Sequence, residues 1–169
     1  MGKISEYDDF EQFCKNLRMS HSVVSIVQSR YHAITKRINQ DFWGSNSDIL
    51  HSFYVGSYGR GTAIYTSDID IVVELPWSEF SKYDNYSGNG QSELLQAVRN
   101  SLMKTYSSSC VSADGQVVDI TFSDGIKFEV VPAFKWSTSS GYSYPDTNNG
   151  GSWKGMYPKD EIKAFNELN

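Results

Sequence analysis

Cysteine is nearly missing from this sequence. Cys14 and Cys110 stand far apart with no CxxC spacing, which excludes a disulfide scaffold and a cysteine-built zinc site and suits a reducing compartment. Both read as small core residues. An excess of positive charge is missing as well: 15 Lys and Arg face 20 Asp and Glu, for a net charge of −5. That balance, with no dense basic cluster, argues against a partner gripped along its phosphate backbone, double-stranded nucleic acid above all. No stretch approaches the roughly 18 apolar residues that a membrane span needs, and no basic segment leads into an apolar run at the N-terminus. The expectation is a cytoplasmic protein with no membrane partner. The three histidines, His21, His32 and His51, read as helix-surface or strand residues rather than ligands. What the chain does have is 39% hydrophobic and 14% aromatic content in 169 residues, enough for one core but not two. No internal repeat is visible.

Apolar residues recur every three or four positions from Ser5 to about Arg18 and again from Ser20 to about Phe42, which predicts two helices, the second of them long. Arg30, Lys36 and Arg37 on the second read as its solvated face. A strand is expected over Ile49 to Val55, ending at Gly56, and another over Asp68 to Leu75, stopped by Pro76. The polar stretch from Trp77 to Gly90 reads as a surface loop. Asn89 or Ser92 then caps a helix carrying Leu94, Leu95, Val98, Leu102 and Met103, which ends near Tyr106. A hairpin follows. With Ser123, Asp124 and Gly125 as a three-residue loop, Phe122 faces Ile126, Ile120 faces Phe128 and Asp119 faces Glu129. The Gly/Ser/Asn-rich passage from Lys135 to Pro158 reads as a lid or a disordered segment, in which Tyr142, Tyr144, Trp153 and Tyr157 either stack on a base or close the core. A short helix begins at Pro158.

The chemistry is concentrated between Gly56 and Leu75. Asp68 and Asp70, at i and i+2 of a strand, point the same way, and unpaired carboxylates in so apolar a run are costly. A cation is the natural compensation. All-oxygen ligands favour Mg²⁺ or Mn²⁺, and Mg²⁺ commonly shares one or two carboxylates with substrate phosphate oxygens. The preceding turn suits the same substrate: Gly56 admits close backbone approach, Ser57 offers a hydroxyl and an amide, and a short helix over Ser57 to Thr62 turns its N–H groups toward an anion. Arg60 reaches a phosphate or braces the turn.

The apolar-Gly56-Ser57 start, the Asp68-Ile69-Asp70-Ile71 strand and the later Phe128-Glu129-Val130 strand together resemble the polymerase-beta nucleotidyltransferase superfamily. More narrowly, GSYGRGTAI, SDIDIVVEL, KFEVVPAF and YPDTNNGGSWK are similar to the cGAS/DncV-like nucleotidyltransferases, the CD-NTases with a SMODS-type domain. The resemblance runs from about Val23 to the end. It implies an α+β fold, a polymerase-beta-like core with a mixed β-sheet flanked by helices including a long N-terminal helix. It also implies synthesis of cyclic di- or trinucleotide second messengers from NTPs in bacterial anti-phage CBASS signalling, through two Mg²⁺ or Mn²⁺ ions and with a possible regulatory protein partner. Carried over, Asp68 and Asp70 are the first two metal-binding acids and Glu129 the third, where the family more often has aspartate. Asp119 competes with Glu129 for that role. Gly56, Ser57, Arg60 and Thr62 become the nucleotide-binding set. Such enzymes are larger, with a second helical lobe, so residues 1–169 are expected to be the catalytic core alone, binding NTP weakly. Two alternatives remain open: a minimal nucleotidyltransferase that adenylylates a protein partner, and an inactive nucleotide-binding module.

Overall fold

Helix α1, His21–Ile38, starts where the Ser20 side chain accepts a hydrogen bond from the Val23 N–H. It buries Val27, Tyr31, Ile34 and Ile38, one side of a 3.6-residue repeat. In this computed structural model, which describes residues 18–64 and 68–169, the helical run continues through a π turn, Asn39–Trp43, and stops at Gly44 with φ +64°. The helix expected before it, over Ser5 to about Arg18, and Cys14 lie outside the described residues. Among the described residues no helix is long and apolar enough to cross a membrane.

The remaining elements are β1 (Ser52–Tyr54), the single turn α2 (Gly56–Gly59), β2 (Ile69–Glu74), α3 (Trp77–Asp84), α4 (Gly90–Met103), β3 (Cys110–Asp114), β4 (Val117–Thr121), β5 (Lys127–Lys135), β6 (Tyr142–Asp146), β7 (Ser152–Met156) and α5 (Pro158–Leu168). The sheet runs β1-β2-β5-β4-β3, and the far end of β5 also pairs with β6, which pairs with β7. Strands β2 and β5 are parallel, and every other pairing is antiparallel. This is the expected α+β arrangement, a mixed sheet flanked by helices.

Period-two alternation divides the sheet into two unlike faces. Ile69, Ile71 and Val73 of β2, Phe128 and Val130 of β5, and Val118 and Ile120 of β4 join the buried residues of α1 and α4 in the main core. Their in-between neighbours Val72 and Ala133 form a smaller cluster with Tyr142 on the opposite face. Phe128 has no exposed surface and lies edge-on to Phe122. Phe128→Ala is expected to cost about 3–5 kcal/mol, read as a lower denaturant midpoint at unchanged slope.

The expected 119–129 register is the observed one: Asp119 pairs with Glu129 and Ile120 with Phe128, and Gly125 turns the loop at φ +86°. The Asn89 cap is also as expected, its Oδ1 accepting from the Ser92 N–H at 2.9 Å.

Four expectations are corrected. Residues 77–84 are helix, not loop, because Trp77 and Phe80, one turn apart, both pack on Phe134 and that tertiary contact outweighs a polar composition. The passage from 135 to 158 is neither lid nor disordered: β6 and β7 form a hairpin closed by Asn149, Gly150 and Gly151, all at positive φ. Within it Tyr142 is fully buried and donates to Glu74 at 2.6 Å, and Trp153 packs on Phe80 and Phe134, so both close the core. Asp146 secures the hairpin, accepting from the Asn148 N–H at 3.0 Å and pairing with Lys154. Lys154 foremost, then the Asn148 N–H, holds that carboxyl far below the usual range. Arg30 is not merely solvated, since it clamps Asp124 at 3.0 and 2.7 Å and lies 3.8 Å over the Phe122 ring. Cys110 is exposed on strand β3 rather than buried, a strand the sequence reading left out.

Candidate functional site

Three adjacent strands bring the acids together. Asp70 of β2 stands beside Glu129 of β5 in the parallel register, and Glu129 stands beside Asp119 of β4 in the antiparallel one. Residues in register across neighbouring strands share a face, here the one not covered by α1 and α4. Asp68 lies two positions before Asp70, just ahead of the strand, with its side chain 49% exposed. Glu129 and Asp119, the two candidates for the third acid, both stand in the cluster, paired as the loop length predicts. Only Glu129 is directly between the other two strands.

Burial, then the Glu129 carboxyl and Asp68, raise the Asp70 carboxyl to about 6, against the opposing pull of Arg60. Burial also raises Asp119, whose Oδ1 is buried without a hydrogen-bond partner. Burial is the first cause of both shifts, and at Asp119 the nearby Lys127 ammonium pulls the other way.

The Gly56–Gly59 turn abuts this cluster. Gly56 has φ +59°, and a Cβ added there would overlap Asp70 Oδ2, so only glycine lets the backbone come so close. The Val55 N–H donates to the Asp70 carbonyl at 2.9 Å, tying the turn to β2. Ser57 and the first amides of the turn therefore start beside the acids. Thr62 caps the far side of the turn, its N–H donating to the Ser57 carbonyl at 2.8 Å. It lines a cavity of about 600 Å³ with Arg18, Met19 and Tyr58, and none of the four carboxylates lines that cavity. Arg60 follows the turn, with its guanidinium carbon 5.3 Å from the Phe165 ring of α5 and its charge felt at the Asp70 carboxyl. His32 is bonded to the Asp48 carbonyl and His51 to Asn39, on the α1 side of the fold.

One residue escaped the sequence reading. Lys127, two positions before Glu129 and so on the same face, sets its Nζ 3.1 Å from Glu129 Oε1, 3.5 Å from Asp119 Oδ2 and 3.8 Å from Asp68 Oδ2. The signal was available in the alternation of Lys127 with Phe128 and Glu129. Among the described residues no three His, Cys, Asp or Glu side chains are gathered closely enough to hold a metal ion as they stand. The donor set nonetheless fits a hard divalent cation: all its donors are carboxylate oxygens, one is buried and unpartnered, and an ammonium already stands among them.

The chain resembles known proteins along nearly its whole length. The family model for the Second Messenger Oligonucleotide or Dinucleotide Synthetase domain, SMODS, matches residues 4–169. No curated protein matches the sequence. Among solved structures, the Bradyrhizobium diazoefficiens CD-NTase CdnG in complex with GTP aligns over 89% of this chain and 43% of its own, at 16% identity and TM-score 0.66. The Elizabethkingia meningoseptica CdnE cyclic dinucleotide synthase with GTP and Apcpp aligns over 83% of this chain and 51% of its own, at 20% identity and TM-score 0.59. A CdnC:HORMA-deltaN complex from E. coli MS115-1 aligns over 94% of this chain and 49% of its own, at 13% identity and TM-score 0.59. This chain thus spans about half the length of these relatives, and the likeness shows a shared polymerase-beta-like fold. With its acids on one sheet face, its Gly-Ser turn against them and a family match from residue 4 to 169, this chain belongs to the SMODS family of CD-NTase nucleotidyltransferases.

Proposed function

We propose that this chain is the catalytic core of a synthase that makes a cyclic oligonucleotide second messenger from NTPs in bacterial anti-phage signalling of the CBASS type. The observation that carries the reading is the placement of Asp70 beside Glu129 with the Gly56 turn in contact with Asp70. Asp68, Asp70 and Glu129 would hold Mg²⁺ or Mn²⁺, which when bound lowers the pKa of the attacking ribose hydroxyl and neutralises the departing pyrophosphate. Ser57 and the amides of its turn orient the terminal phosphates, a positioning task that needs no protein nucleophile. Glu129, at the centre of the acid row, faces the attacking hydroxyl. Arg60 keeps the turn seated. Solved relatives extend to about twice this length, and the proposal assigns to this chain the chemistry and to the rest of such an enzyme the closing of the nucleotide pocket. A HORMA-type regulator, as in the CdnC complex, is the kind of protein partner the reading accommodates.

The test is incubation of the intact protein with all four labelled NTPs and Mg²⁺ or Mn²⁺, then phosphatase treatment and mass spectrometry. A phosphatase-resistant cyclic oligonucleotide, lost in Asp70→Asn, is the expected result. A nucleotide attached to a protein partner instead would move the assignment to a protein-modifying transferase. No metal-dependent pyrophosphate release at all would make it a silent binding module.

A further inference from the structure

The position of Lys127 sets it apart from an ordinary surface lysine. It opens β5 opposite Thr121, on the face of Asp119 and Glu129, and its side chain is only 30% exposed. The ammonium donates a hydrogen bond to Glu129 Oε1 at 3.1 Å and lies within 4 Å of two further carboxylates, from β4 and from the approach to β2. Those three acids come from three separate segments, so Lys127 is the group that spans them. Asp70 is not among the acids within 4 Å of the ammonium; its carboxyl has Glu129 beside it and the Gly56 turn against it.

A divalent cation drawn to the same carboxylates and this ammonium cannot share one place, since like charges a few ångströms apart repel strongly in a partly desolvated site. Lys127 has four methylenes and a solvent-facing side by which to leave. We propose that Lys127 is a built-in counter-cation of the acid cluster: it holds Asp68, Asp119 and Glu129 together in the metal-free protein and must be displaced for a divalent metal to load. This rests on the metal-dependent reading above and adds to it a residue that sets the metal concentration at which the site fills. Lys127 is a positioning residue, acting on the acids and not on the substrate.

The experiment compares the unaltered chain with Lys127→Met, Lys127→Gln and Lys127→Arg, measuring Mn²⁺ binding by the loss of free-ion paramagnetic resonance signal and the melting temperature in EDTA. The neutral variants are expected to bind Mn²⁺ about tenfold more tightly, the scale of removing one partly screened charge beside the site. In EDTA they are expected to melt lower than the unaltered chain, because the carboxylates lose the cation that spans them. Lys127→Arg keeps the charge and returns both readings toward the starting values. A purely structural lysine would lower the melting temperature and leave Mn²⁺ affinity alone. Equal or weaker Mn²⁺ binding by the folded neutral variants, with the unaltered chain binding Mn²⁺, overturns this inference and spares the metal reading. Absence of Mn²⁺ binding in every protein overturns both. Should Lys127→Met not fold, Lys127→Gln decides.

Discussion

Gly56→Ala is expected to abolish most nucleotidyl transfer and to destabilise the chain at the same time. Alanine at φ +59° adopts a left-handed conformation that costs about 1–2 kcal/mol, and its methyl group would overlap Asp70 Oδ2. The strain is relieved only by moving the turn or the carboxylate. Either movement separates the phosphate-orienting amides from the acids, and a displacement near 1 Å is enough to cost about 10²-fold in rate. The same substitution lowers the melting temperature by several degrees, at about 2–4 °C per kcal/mol for a chain of this size. Initial rates of pyrophosphate release and a thermal melt check both halves. Normal turnover in a Gly56→Ala protein would show that the close approach of turn and acid has no part in the chemistry.

Asp70→Asn is expected to separate activity from stability. Transfer falls on the order of 10³-fold, because the carboxylate beside Glu129 is lost from the place where charge must be balanced. Metal-free stability moves the other way. The folded protein holds the Asp70 proton up to about pH 6, whereas its ordinary value is 3.8. Between those values the folded state binds the extra proton, so stability falls as pH rises through that window. Asparagine has no proton to lose. In EDTA at pH 7 the variant should therefore melt at or slightly above the unaltered chain, with the difference vanishing below about pH 4. Adding Mn²⁺ should raise the melting temperature of the unaltered chain and leave the variant unmoved, since a ligand stabilises only the state that binds it. A variant that melts several degrees lower in EDTA at pH 7 would contradict this account of Asp70 as an uncompensated charge.

Much of this site was legible because the signals that make it are local. Gly56-Ser57 announces a tight turn, and Asp68 and Asp70 declare a shared face through the period of two. The Asp119–Glu129 pairing followed from loop length, since three residues with a left-handed Gly125 admit one register. The helix cap at Asn89 is local as well. Where the reading failed, the deciding contacts were remote in sequence. Residues 77–84 are helical because Trp77 and Phe80 find Phe134 more than fifty positions away, and residues 142–156 are strands because Tyr142 reaches Glu74 and Trp153 reaches Asp84.

The chain by itself determined the turn, the acid-bearing strands, the hairpin register and the family, because propensity, alternation and turn geometry act within a few residues. Only the tertiary structure decided that β2 runs parallel to β5 with Asp70 beside Glu129, and that Lys127 stands among the acids. Parallel pairing joins segments separated by a long crossover, and its register is selected by burying Ile69, Ile71 and Phe128 on the helix side. Packing of that apolar face is what delivers the four carboxylates and one ammonium to the other.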